Sequence, residues 1–157
     1  MSSTRKANKR RPRSSVVAIA VQRASRGRGV PAAAALRAWA CAACRGSAEV
    51  TLRVVDAAEG RRLNREFRGG DYATNVLTFA YGARPWRGDI VLCHPVIVRE
   101  ARAQAKPLAA HYAHLVVHGM LHLRGHDHAR KREAEVMERE EIRILGRLGI
   151  GNPYAVE

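Results

Sequence analysis

The sequence contains no uncharged apolar run approaching the roughly 18 residues that a membrane-spanning helix needs, so a soluble chain without a membrane partner is expected. Its three cysteines make an odd number, and the start MSSTRKANKRRPRSS lacks the apolar stretch of a secretory signal. Both features speak against an exported, disulfide-stapled scaffold and for a reducing cytoplasmic compartment. Arg-rich, acid-poor starts also occur in organelle transit peptides, but this one lacks an apolar face. No repeat long enough to build a solenoid is present. Acidic residues are scarce: 14 face 28 Lys and Arg, leaving a net charge of +14. Six of those charges (Arg5, Lys6, Lys9, Arg10, Arg11, Arg13) crowd the first thirteen residues, and the excess on the remainder still favours polyanions such as RNA or DNA.

A chain of 157 residues suits one domain with a sizeable core. Residues 1–15, polar, basic and interrupted by Pro12, read as a disordered arm. Residues 16–157 read as a single domain. VVAIAV (16–21) is a short apolar run expected to form a buried strand, and RGRG marks the turn after it. Pro31 opens the Ala-rich helix AAAALRAWACAACR, stopped by Gly46. EVTLRVVD (49–56) alternates like a half-buried strand, and a helix through Leu63 and Phe67 follows, ended by Gly69 and Gly70. Strands are expected over 76–81 and 89–93, joined by a loop holding Pro85 and Gly88. Helical spacing then continues from Pro95 to about Lys106, from Leu108 to Arg124, and from about Arg130 to Leu148. Strands first and helices later imply an α+β fold, a small mixed sheet of about four strands covered by helices.

Six of the seven histidines lie in HYAHLVVHGMLHLRGHDH (111–128). On a helix, His114, His118 and His122 form one stripe, with neighbouring Cβ atoms about 5–6 Å apart. Two adjacent members can share one ion at metal–nitrogen distances of about 2.0–2.1 Å. All three cannot, because eight residues at about 1.5 Å rise separate the outer pair by about 12 Å. Gly125 stands where a helix ending at Arg124 needs a left-handed residue, so the chain can turn back and offer either His126 or His128. Three imidazoles leave the fourth tetrahedral position to water, the arrangement of a catalytic rather than a structural zinc.

HGMLHLRGHDH resembles the metal motif of the YbeY family, bacterial endoribonucleases similar to zinc hydrolases and acting in ribosomal RNA maturation. The family pattern, His, three residues, His, five residues, His, implies His118, His122 and His128 as ligands of one Zn2+ per chain, on a helix and the turn after it, and puts Asp127 beside them. The resemblance continues through LNREFRGGDYATNVLTFAYG, GDIVLC and the closing NPY, roughly Val50 to Tyr154, and leaves only the basic arm without a counterpart. Thr78 and Ala80 stand where many relatives carry Ser and Pro. By position Arg68 matches the family's functional arginine, expected to line the cleft and act catalytically on phosphate charge; from sequence alone it is a solvated helix-end residue. Asp71, Thr74 and Asn75 read as turn and cap residues, or, on the resemblance, as a cleft wall.

The activity implied is metal-dependent, single-strand-specific endoribonuclease action at the 3′ end of 16S ribosomal RNA and in ribosome quality control. The implied partners are RNA and ribosomal or small-subunit assembly components, and a monomer is expected. Zincin peptidases carry a glutamate base directly after the first histidine, and here that position is Gly119, which disfavours a metallopeptidase-like alternative. The other alternative is a non-catalytic ribosome-associated factor whose metal only staples helices. Cys41 and Cys44 read as a buried Ala-rich helix face, Cys93 as a core residue, and Trp39 and Trp86 as packing residues. Glu133, Glu135, Glu138, Glu140 and Glu141 read as the solvated face of the last helix.

Overall fold

The computed structural model describes residues 16–82, 85–126 and 129–155. The basic arm, Asp127 and His128 lie outside the described residues. The elements follow the order β1 (Val17–Arg23), α1 (Ala33–Ala42), β2 (Ala48–Val55), α2 (Ala57–Arg68), β3 (Val76–Gly82), β4 (Trp86–Cys93), α3 (His94–Ala103), α4 (Leu108–Leu123) and α5 (Lys131–Arg147). The four strands form one sheet in the order β1-β2-β4-β3. β1, β2 and β4 run parallel, while β3 pairs antiparallel with β4 and forms one edge. The mixed sheet of four strands is the one the sequence implies.

The alternation of β2 sends Val50, Leu52 and Val54 to one face, where Ile90 and Leu92 of β4 join them. That face carries the main core, built with Leu36 and Ala40 of α1, Ile144 and Leu145 of α5, and most of α4. The opposite face holds a smaller cluster of Val55, Leu77, Val91, Cys93 and Val96 beneath Leu63 of α2. α4 is apolar on nearly every side, as a helix enclosed by protein must be: Leu115, Val116, Val117, Met120 and Leu121 are all buried. At about 1.5–3 kcal/mol for each fully buried large apolar side chain, this helix is among the most firmly fixed elements.

Three sequence expectations change. The run at 16–21 was expected to form a buried strand, but β1 is the second edge of the sheet and none of its residues is buried, with only Ile19 and Val21 partly covered by the main core. β4 begins at Trp86 rather than Asp89, so Gly88 lies within the strand and not in the loop. A Cβ there would stand 2.4 Å from the Phe79 carbonyl oxygen and 2.5 Å from Leu123 Cδ2, so only glycine lets β3 and α4 approach so closely. Cys41 is exposed and Cys44 half-buried, so this pair does not share a buried face as expected. Cys93 is buried, and Trp39 and Trp86 pack against the main core.

Candidate metal centre

The end of α4 is set by Gly125, at φ 88°, in the left-handed region foreseen from the sequence. The Gly125 N–H donates to the His122 carbonyl at 3.0 Å and the His126 N–H to the Leu121 carbonyl at 3.0 Å, which closes the last turn and sends the chain away from the helix axis. His126 sits in a cleft beside Arg132, Glu133 and Val136 of α5, and burial, with Arg124 nearby, pushes its pKa down.

His118 and His122 come together on the helix surface. Their Nε2 atoms stand 3.1 Å apart, with ring planes at 80°. Two nitrogens bound tetrahedrally at about 2.0–2.1 Å would lie about 3.3–3.4 Å apart, so the pair has the spacing of two ligands of one ion. Behind His118, its Nδ1–H donates to Glu141 Oε1 at 2.5 Å. A carboxylate only accepts, so this bond fixes the proton on Nδ1 and leaves the Nε2 lone pair facing His122.

Glu141 was expected on a solvated face, but it is wholly buried while Glu133, Glu135 and Glu138 are exposed. Position 141 lies on the inner stripe of α5 with Met137, Ile144 and Leu145. Burial by itself would raise its pKa; donation from His114 Nε2 (2.9 Å), His118 Nδ1 and the Tyr154 hydroxyl outweighs burial and holds it down at about 2. A run of glutamates gives no local signal of this. The signal available was periodicity, since Met137, Glu141, Ile144 and Leu145 recur at helical spacing.

His114, His118 and Glu141 offer ligand atoms within 4.8 Å of one another, a group that could hold a metal ion. Its bond lengths favour a supporting role instead. The 2.5 Å between His118 Nδ1 and Glu141 is a hydrogen bond, too short for two ligands of one ion, and His114 turns its protonated nitrogen toward the carboxylate. Two other histidines serve structure: His111 meets Glu100 at 3.0 Å, and His94 lies between the Tyr112 hydroxyl and the Arg28 carbonyl.

Arg68 ends α2 exposed; its Nη2 donates to the Thr78 carbonyl at 2.5 Å and its guanidinium lies 5.0 Å from the centre of the Phe79 ring. Thr78 turns its methyl toward Gly119 of α4, where an added Cβ would meet it at 3.2 Å. One residue of the edge strand thus touches both Arg68 and the helix turn bearing His118. Asp71 forms a two-point ion pair with Arg61, and Asn75 is bound by Glu100, so both act as loop anchors. Asn64, which gave no sequence signal, is buried and donates to the Tyr72 carbonyl at 2.8 Å, holding the loop between α2 and β3.

Residues 32–149 match the family described as endoribonuclease YbeY. The chain belongs to this family. An endoribonuclease YbeY of Aromatoleum aromaticum is 58% identical over 147 residues, covering 90% of this chain and 95% of the relative. That of Nitrosospira multiformis is 50% identical over 161 residues, covering 92% and 85%. A solution structure of a Thermotoga maritima protein superimposes with a TM-score of 0.51 at 26% identity, over 87% of this chain and 99% of that one. Membership in the YbeY family agrees with the α+β fold, the hydrolase class and the candidate metal group. Among the described residues no helix is long and apolar enough to cross a membrane.

Proposed function

We propose that this chain is a metal-dependent, single-strand-specific endoribonuclease acting in ribosomal RNA maturation, at the 3′ end of 16S RNA, and in ribosome quality control in the cytoplasm, with ribosomal or small-subunit assembly components as partners. The observation that carries the reading is the His118–His122 pair at ligand spacing with Glu141 orienting one ring, in a chain that belongs to the YbeY family. His118, His122 and His128 would hold one Zn2+; His128 enters on the family pattern. Such an ion, when bound, acidifies water and polarises a phosphoryl oxygen. The chain's own part is to present two lone pairs at a fixed separation, and to supply in Arg68 a guanidinium shaped for paired phosphate oxygens. The Thr78 carbonyl and the Phe79 ring hold that guanidinium at the sheet edge.

The peptidase alternative loses more than its base. A Cβ at position 119 would lie 3.0 and 3.1 Å from Ile90 atoms and 3.2 Å from Thr78, so any side chain there presses on both residues, which would have to shift by a few tenths of an ångström. The test is cleavage of single-stranded and structured RNA by wild type and His122→Ala side by side. Wild type is expected to cut the single-stranded substrate and the variant to lose at least a hundredfold of that rate; equal rates would remove the enzyme reading.

A further inference from the structure

The segment after α5 returns to the histidine cluster. The Lys106 ammonium donates to the Pro153 carbonyl at 2.9 Å, and the Tyr154 N–H to Asn152 Oδ1 at 2.8 Å, which fixes a turn at Asn152–Tyr154. From that turn the Tyr154 ring reaches over α4, its centroid 5.4 Å from that of His114 at 84°, and its hydroxyl donates to Glu141 Oε2. The same oxygen accepts from His114, while Oε1 accepts from His118. Three donors thus occupy most of the roughly four lone-pair positions of one carboxylate, which leaves it little freedom to rotate.

We propose that Tyr154 is a positioning residue of the metal centre: by clamping Glu141 through the carboxylate oxygen that His118 does not use, it fixes the ring orientation and tautomer of His118 and so sets the affinity for the ion. The proposal rests on the metal-site reading above. Without the phenol, Oε2 keeps only His114 as donor, and the carboxylate can swing away from His118. Loss of such outer partners typically weakens metal binding about 10–100-fold. His114 belongs to the same clamp and binds no ion. The clamp joins three stretches distant in sequence: α4, the buried stripe of α5, and the turn beyond it.

The test measures zinc dissociation constants by competition with a chromophoric chelator, on the full chain without RNA, with thermal melts as a folding check. Tyr154→Phe keeps the ring and removes only the hydroxyl; it is expected to weaken zinc binding about three- to tenfold, and Glu141→Gln about 10–100-fold. Because Tyr154 acts through Glu141, the double variant should bind within about twofold of Glu141→Gln alone. His114→Gln, which keeps a donor, should stay within about threefold of wild type. Wild-type affinity in Tyr154→Phe, or full additivity in the double variant, would overturn the proposal, and so would a wild-type chain that binds no zinc. If Glu141→Gln does not fold, Tyr154→Phe alone decides. A chain that binds zinc as expected but cuts no RNA would remove the nuclease reading and leave this one in place.

Discussion

Arg68 illustrates how a side chain can be exposed yet held in one place. Its guanidinium is bound by the Thr78 carbonyl and lies against Phe79, so it is oriented without any ligand, as its proposed role toward phosphate would need. A charge-assisted hydrogen bond is worth about 1.5–3 kcal/mol, so Arg68→Ala should lower kcat/KM on single-stranded RNA by about 10–100-fold. Folding stability should fall by no more than about 1 kcal/mol, because only an exposed hydrogen bond and a ring contact are lost. Cleavage rates and a urea titration check the two halves; wild-type cleavage would remove Arg68 from the chemistry. The spacing of His118 and His122 was legible residue by residue, because four-residue repetition on a helix is a local property. Glu141 was not, since its burial depends on partners 13, 23 and 27 residues away.

At the scale of elements, every helix and strand was legible within a few residues. Period-two alternation marked β2, Gly69 and Gly125 ended helices in the left-handed region, and the change to helical spacing after Pro95 separated sheet from helices; α1 stops at Ala42, four residues before the Gly46 expected to end it. The miss at the start of β4 has a physical cause: glycine reads as a loop residue, whereas Gly88 is demanded by the close approach of the Phe79 backbone. The pairing order β1-β2-β4-β3 was also hidden, because hydrophobic pattern fixes which face is buried but not which strands become neighbours. α4 owes its position to the core packed around it, so the proposed ion is not needed to hold the helix in place. Stripping the ion with a chelator should therefore abolish RNA cleavage and leave far-ultraviolet dichroism and a cooperative melt intact. Loss of helical signal on stripping would instead make the metal a staple of the C-terminal helices.

In the whole molecule Thr78 of the edge strand β3 meets both Arg68 and the α4 turn that bears His118, in a chain carrying a net charge of +14. A strongly basic protein raises the local concentration of a polyanion, and an open coordination position would then act on whatever phosphodiester the edge strand admits. Charge was legible from composition alone; the meeting of α2, β3 and α4 beside the histidine pair was not, because it depends on contacts between elements distant in sequence. Everything depends on three imidazoles sharing one ion and leaving a place for solvent. X-ray absorption at the zinc edge of the loaded chain measures this most directly. The expected spectrum has three imidazole nitrogens and one water-like oxygen, all at about 2.0–2.1 Å. Two imidazoles with a protein carboxylate, or four protein ligands with no solvent oxygen, would contradict it.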